Sequence, residues 1–312
     1  MKVLIPQNIT DPGKQYLIDH GYRFKVLTDS SEETLLIEVG DFDAILIRTA
    51  KVSKKVINAG TKLKVISRHG VGVDNIDLDA ATERGIWVTN GPMSNYETVA
   101  EHTMAFILAL GHRIVEMDEH IRTGNWEARN KFHLSDVGGK TLGLLGLGRV
   151  GLAVAKRAAL GFGMNVIGYD AFVENTPDYV KRVSSPRDVF TADYVSLHIP
   201  ATADTTNLID KSYIELMKPD AFLINCARGE ILNENDLYEA LSTGRIKGAA
   251  LDVFQTEPIP SDNPLLSLKN LILSPHNAAN SSESFDKMGL HAAQGIHEVL
   301  SGNVPTWPVN KI

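Results

Sequence analysis

The chain has 312 residues but a single cysteine, Cys226, so no internal disulfide can form. That scarcity fits a reducing, cytoplasmic setting. Long apolar runs are absent too. The densest one, 104–110, falls far short of the ~20 residues a membrane-spanning helix needs. The opening MKVLIPQN has neither a long apolar core nor a small-residue cleavage site, so no secretory signal is expected. There is no basic excess: Lys+Arg 31 against Asp+Glu 38 gives a net charge of −7. This weighs against nucleic acid or an anionic membrane as partner. H-E-x-x-H and paired cysteines are missing, so no metal site is expected. G-x-S-x-G is missing, which argues against an α/β-hydrolase. No internal repeat, low-complexity tract or long linker appears. What remains is a globular composition, 43% apolar and 22% charged, long enough for two domains of ordinary size.

The stretch 143–170, GLLGLGRVGLAVAKRAALGFGMNVIGYD, organises the rest. An apolar run over 141–147 suits a buried parallel strand. Gly146, Gly148 and Gly151 form G-x-G-x-x-G and open a helix-like segment. A second apolar run, 165–169, ends in Asp170. Each part has a physical task. Gly146 permits a tight turn, Gly148 lets a pyrophosphate approach the backbone, and Gly151 lets helix and strand pack closely. The helix N-terminus offers unpaired N–H groups to phosphates, and Asp170 is placed to accept from the adenosine ribose hydroxyls. A lone G-x-G-x-x-G is weak evidence and could be a structural turn. Here strand, helix, second strand and acid are in register, which points to a dinucleotide site.

Before this stretch, 3–6, 24–28, 44–48, 63–68 and 86–89 read as strands. Helical patterns at 11–20, 32–39, 53–59 and 78–84 lie between them, with Ser53 and Asp77 as N-caps. Such alternation implies a parallel sheet covered on both faces. A long apolar helix is expected over 96–110. The more polar 111–139 reads as an arm or a dimer contact. Further strands are expected at 194–199, 221–226, 248–253 and 271–274, and helices at 210–217, 233–243 and 282–300. The fold class expected is therefore α/β, with two doubly wound parallel-sheet units.

In such sheets ligands bind beyond the carboxyl ends of the strands. Three polar residues follow strands of the second unit there: Arg228 in NCARGE, Glu257 in QTEP and His276 in SPHNAA. An arginine can hold a carboxylate by two parallel hydrogen bonds. A histidine can move a proton near neutral pH, and a glutamate beside it can orient the ring and stabilise its charged form. Singly, each has a bland alternative as surface charge, turn residue or structural histidine. Together with a nicotinamide they suit interconversion of a 2-hydroxy acid and a 2-keto acid.

GLGRVG with Asp170, then HIP at His198–Pro200, NCARGE, ALDVFQTEP and SPHNAA resemble the D-isomer-specific 2-hydroxyacid dehydrogenases. RHGVGVDNID at Arg68–Asp77 and NYETVAEH at Asn95–His102 resemble that family's phosphoglycerate dehydrogenase branch. The resemblance covers nearly the whole chain in the family's order. It implies a Rossmann cofactor domain, 98–280, inserted in a flavodoxin-like substrate-binding domain made of 1–97 plus 281–312, with a cleft that closes over substrate. It implies NAD as cofactor, and Arg228, Glu257 and His276 as substrate anchor, histidine partner and acid/base. Arg149, Val150, Asp170, His198, Ile199, Pro200, Cys226, Ala227 and Ala278 would line the dinucleotide beside the glycines and His276. Asp252 would bond the nicotinamide carboxamide. Val71 and Gly72 would offer backbone N–H groups to the substrate carboxylate, with Asn95 nearby.

The expected substrate is a small anionic 2-hydroxy or 2-keto acid, foremost 3-phosphoglycerate/3-phosphohydroxypyruvate, which would place the chain in serine biosynthesis. Arg48 and Arg68, at strand ends of the first unit, could serve a second anionic group such as a phosphate, or could be surface salt bridges. The alternatives are a glyoxylate/hydroxypyruvate or other 2-keto acid reductase, and an NAD(H)-sensing binding protein like the family's corepressors. The polar stretch after Leu110 matches the family's dimer arm, so a homodimer through the region 98–139 is expected. Serine-pathway relatives often carry a C-terminal regulatory domain. None follows Ile312 here, so feedback through such a domain is not expected. After His276 the family usually has an apolar residue and then glycine, whereas this chain has Asn277 and Ala278. The surroundings of the nicotinamide are expected to differ accordingly.

Overall fold

The computed structural model describes residues 1–312. In chain order the elements begin β1 (Lys2–Ile5), α1 (Asp11–Asp19), β2 (Arg23–Val26), α2 (Glu32–Glu38), β3 (Ala44–Ile47), α3 (Lys54–Ala59), β4 (Val65–Arg68), α4 (Leu78–Glu83) and β5 (Trp87–Thr89). They continue with α5 (Tyr96–Gly111), α6 (Ile114–Arg122), α7 (Ala128–Lys131), β6 (Thr141–Leu145), α8 (Arg149–Lys156), β7 (Asn165–Tyr169), β8 (Val180–Arg182) and α9 (Pro186–Val189). The last are β9 (Tyr194–Leu197), α10 (Lys211–Ile214), β10 (Phe222–Asn225), α11 (Glu234–Ser242), β11 (Gly248–Leu251), β12 (Leu271–Leu273) and α12 (Ser282–Leu300). The chain divides into two compact units, Met1–Tyr96 with Ala279–Ile312, and Glu97–Ala278.

The first unit holds a five-stranded parallel sheet in the order β2-β1-β3-β4-β5. Alternate side chains point to opposite faces, and both faces are buried. Leu4, Ile45, Ile47 and Ile66 pack with Leu35, Val56, Ile57 and Ala80 from α2, α3 and α4. Val3, Ile5, Leu46 and Val65 pack with Leu17 of α1 and Ala292, Ala293 and Ile296 of α12. Each fully buried aliphatic contributes about 1.5–3 kcal/mol relative to exposure. Two-sided burial is why these strands read as continuous apolar runs. Gly13 draws the late α12 onto α1: a β-carbon there would lie 2.7 Å from the Gly289 carbonyl oxygen. The helix caps follow the sequence pattern. Ser53 accepts from the Val56 N–H, Asp77 from Ala80 and Ser281 from Ser284.

The second unit holds a seven-stranded parallel sheet, β12-β11-β10-β9-β6-β7-β8. Chain order reverses between β6 and β9, so the loops after these two strands flank the switch point where doubly wound sheets bind ligands.

Five elements differ from the sequence expectations. The stretch 111–139, expected as an arm or a dimer contact with no elements assigned, contains α6 and α7. β8 and α9 carry no periodic signal. β8 is three residues at the sheet edge with only Val180 buried, and α9 is four residues held by a Ser185–Asp188 capping box. The helix expected over 210–217 shortens to Lys211–Ile214. No helix is long and apolar enough to cross a membrane.

Candidate active site

The loop between β6 and α8 is shaped by close backbone packing. Gly146 has φ +104, and a β-carbon on it would lie 2.5 Å from the His198 carbonyl oxygen. A β-carbon on Gly151 would lie 2.1 Å from the Gly146 carbonyl oxygen, so helix α8 could not approach the strand with any other residue there. Gly148 differs: nothing lies within 4 Å of where its β-carbon would be. It is the N-cap of α8 and supplies no side-chain cap, so the first amides of the helix, at Arg149, Val150 and Gly151, stay available to a ligand. An open glycine face beside an uncapped helix N-terminus fits a pyrophosphate.

Asp170, at the end of β7, spans this loop. Its Oδ2 accepts from the Leu147 N–H at 2.8 Å, and its Oδ1 accepts from Phe172 and Val173 at 2.8 and 3.1 Å. The carboxylate is therefore held in one orientation by three amides. Arg182 of β8 donates to the Asp170 and Val173 carbonyls, both at 3.1 Å. Nothing in the sequence singles Arg182 out, because its tie to Asp170 crosses twelve residues.

On the other side of the switch point, His198 is partly buried and its Nε2 lies 2.9 Å from Ser196 Oγ. Desolvation pulls its pKa down to about 4, so it is neutral at physiological pH. Ile199 and Pro200 continue the loop. Cys226, after β10, is buried, and burial pushes its thiol up to about 12 despite a hydrogen bond with Thr103. It is a packing group and not a nucleophile.

Arg228, Glu257 and His276 stand on adjacent loops after β10, β11 and β12. The buried Asn225 fixes the first loop: its Nδ2 donates to the Arg228 carbonyl and its Oδ1 accepts from the Ala227 N–H. Gly229 brings that loop against the next, since a β-carbon there would lie 1.9 Å from the Phe254 carbonyl carbon. Glu257 Oε1 accepts from the Phe254 N–H at 3.0 Å, and Oε2 accepts from His276 Nδ1 at 2.6 Å. With Nδ1–H bound to a carboxylate, Nε2 is the nitrogen left to face a substrate. The bond to Glu257 raises the His276 pKa, against the opposing pull of desolvation and the Arg228 charge. Burial pushes Glu257 up, but the His276 bond, the Phe254 amide and Arg228 bring it net below the usual carboxylate range. The histidine side chain is half exposed, so solvent screens part of this coupling.

His276 has φ +48, the left-handed region that costs a residue with a β-carbon on the order of 1 kcal/mol. Asp252, 1% exposed after β11, holds the turn. Its main-chain carbonyl accepts from the His276 N–H at 2.8 Å, and its two carboxylate oxygens accept from Asn277 and Ala278, each at 2.9 Å.

In the first unit the loop after β4 is tied down by its carbonyls. Arg68 Nε donates to Gly72 O at 2.8 Å and its NH1 to His69 O, Asn90 Nδ2 donates to Val71 O, and the Gly91 N–H donates to Gly70 O. The N–H groups of Val71 and Gly72 donate to no backbone acceptor. Arg68 is thus engaged in shaping its own loop. Arg48 packs over the Phe285 ring, 5.0 Å from its centroid, and donates to the Asn8 carbonyl. Asn95 lies against Met288, 3.9 Å from its sulfur.

Residues 104–278 match the family model of the D-isomer specific 2-hydroxyacid dehydrogenase, NAD binding domain. The chain is 41% identical over 324 residues to a D-3-phosphoglycerate dehydrogenase of Methanocaldococcus jannaschii, a match covering 100% of this chain and 61% of that protein. This chain therefore spans about three-fifths of that relative's length. It is 36% identical over 322 residues to a glyoxylate reductase of Korarchaeum cryptofilum, covering 99% of this chain and 96% of that one. Among solved structures, a Thermus thermophilus protein superposes with a TM-score of 0.91 at 34% identity, over 99% of this chain and 100% of that one.

Proposed function

The chain belongs to the D-isomer specific 2-hydroxyacid dehydrogenases, with an NAD-binding domain, and from that premise we propose that it interconverts a D-2-hydroxy acid and its 2-keto acid. The observation that carries the proposal is the 2.6 Å bond from His276 Nδ1 to Glu257, with Arg228 on the adjoining loop. NAD, when bound, supplies or takes up the hydride. The residues do the rest. Arg228 holds the substrate carboxylate, and the amides of Val71 and Gly72 are assigned to the same group. His276 Nε2 takes the hydroxyl proton during oxidation and returns it to the carbonyl oxygen during reduction. Glu257 stabilises the imidazolium in either direction.

The dinucleotide is assigned to Gly146, Gly148, Arg149, Val150 and Gly151, to Asp170 at the adenosine ribose, and to His198, Ile199, Pro200, Cys226, Ala227 and Ala278 along its length. Asp170 favours NAD over NADP, because a 2′-phosphate would meet a carboxylate. The foremost substrate is 3-phosphoglycerate/3-phosphohydroxypyruvate, with Arg48 receiving the phosphate. A second reading, a smaller acid such as glyoxylate or hydroxypyruvate, gains support from Arg68, whose guanidinium is committed to the Gly72 and His69 carbonyls. Initial rates with NADH and phosphohydroxypyruvate, hydroxypyruvate, glyoxylate and pyruvate decide between them. No turnover with any of the four, alongside tight NADH binding, would favour a nucleotide-sensing protein instead.

We assign the self-association surface to the region 98–139. None of the side chains of α6 is buried, while Ile114, Val115, Ile121, Trp126 and Leu134 are more than half exposed. Apolar exposure on that scale suits a homodimer contact. The lone, buried thiol suits a reducing compartment such as the cytoplasm.

A further inference from the structure

The Asp252 carboxylate does not stand alone. Ser274, the last residue before the Pro275–His276 pair, donates its hydroxyl to Asp252 Oδ1 at 2.5 Å. His102, on the long helix α5, has its Nε2 3.2 Å from that same hydroxyl oxygen and 3.9 Å from Asp252 Oδ1. A serine has one proton to give, and here it goes to the carboxylate. The His102 contact must therefore run the other way, with Nε2–H donating to Ser274 Oγ. The result is a directed chain, His102 to Ser274 to Asp252, that ends on the carboxylate whose two oxygens hold the amides of Asn277 and Ala278.

We propose that His102 and Ser274 are positioning residues that act through Asp252 to hold His276 in its left-handed turn, with Nδ1 on Glu257. This rests on the reading of His276 as the acid–base group. The physical case is one of geometry and compensation. Past the left-handed His276 the successive amides of Asn277 and Ala278 converge on one anion, in a small concavity. Asp252 fills that concavity, and a carboxylate so deeply buried needs donors on every side that the turn does not supply. Ser274 supplies one, and His102 fixes the rotor of Ser274 so that its proton stays on Asp252. The His102 ring is itself fixed edge-on to Phe106, with centroids 4.5 Å apart. Without the outer two members the carboxylate can turn, the amides of Asn277 and Ala278 lose their acceptors, and His276 is free to leave its strained backbone conformation. The imidazole then swings off Glu257.

The test uses four variants of the full chain: Ser274→Ala and His102→Phe, which break the chain, and Ser274→Thr and His102→Gln, which keep a hydroxyl and an N–H at the same places. The first readout needs no turnover. It is the downfield proton NMR signal of the His276 Nδ1–H bonded to Glu257, assigned by its disappearance in His276→Ala. The second is kcat and KM for the 2-keto acid. Ser274→Ala and His102→Phe should broaden or abolish the NMR signal and lower kcat about tenfold, the scale of one lost hydrogen bond to a charged group, while KM stays within about twofold. Ser274→Thr and His102→Gln should keep the signal and most of kcat. The proposal is overturned if the breaking variants keep both, or if the conservative variants lose as much as the breaking ones. Should the wild type turn over no 2-keto acid, the reading of function fails, and the NMR comparison still decides the positioning role.

Discussion

The two sheets share a plan but use their carboxyl ends differently. In the second unit, functional side chains meet each other or lock a turn: His276 meets Glu257, Asp170 reaches across to the glycine loop, and Asp252 grips three successive amides. In the first unit, side chains are occupied with the backbone. Arg68 and Asn90 tie down the carbonyls of residues 69, 71 and 72, Gln7 accepts from the Thr49 and Ala50 amides, and Asn75 donates to Arg48 O and Ala50 O. One set of loops pairs a histidine with a carboxylate. The other holds its own carbonyls, while the N–H groups of Val71 and Gly72 donate to no backbone acceptor. Similar folds therefore use their loops differently, with a side-chain pair in the second unit and side chain against backbone in the first.

That contrast breaks most visibly at His276. His276→Ala should lower kcat in both directions by at least ~100-fold, the usual contribution of acid–base catalysis, while NADH affinity measured by fluorescence changes far less. A variant keeping a tenth or more of wild-type kcat would remove the proton-moving role from the second unit.

Next in size is cofactor choice. Like-charge contact between Asp170 and a 2′-phosphate should cost about 2 kcal/mol, roughly thirtyfold in kcat/KM in favour of NADH. Asp170→Asn should narrow the gap, since Arg182 already lies against the Asp170 backbone. Equal kcat/KM for NADH and NADPH in the wild type would refute the assignment.

A smaller effect sharpens the side-chain pair. Glu257 raises the His276 pKa, while desolvation and Arg228 oppose it. Reduction needs charged His276, so it proceeds below the raised pKa and fades as pH climbs through it. Oxidation needs the neutral ring and improves at alkaline pH. Glu257→Gln keeps the shape and removes the charge, so that desolvation and Arg228 are opposed only by the Asp252 charge. Its reductive kcat/KM profile should move to lower pH than that of the wild type. An unmoved limb would mean that Glu257 does not set the acid's pKa.

The first unit gives the smallest and most discriminating effect. Arg48→Ala should raise KM for phosphohydroxypyruvate by several-fold, on the order of 1 kcal/mol, and leave glyoxylate nearly unchanged. Arg68→Ala, by releasing the loop that presents Val71 and Gly72, should raise KM for both acids alike. If Arg68→Ala penalises only the phosphorylated acid, its role is direct recognition, and the contrast between the two units weakens.

Local order along the chain determined much of this protein. The alternation of apolar runs and capped helices specifies two parallel α/β sheets, because each run needs burial on both faces and each helix needs its own start signal. The glycine spacing with Asp170, and the polar residues placed just past strands at 228, 257 and 276, are legible for the same reason: strand ends in a parallel sheet share one edge. Tertiary structure decided the rest. Arg68 looks like a free cation at a strand end until its loop folds back on it. Arg182 lies on an edge strand too short to register. The His102–Ser274 contact joins residues 172 apart in sequence, and α12 reaches α1 through the close approach of Gly13 to Gly289. Such pairings leave no periodic trace, because neither partner's neighbours along the chain are constrained by the other. Only packing brings them together.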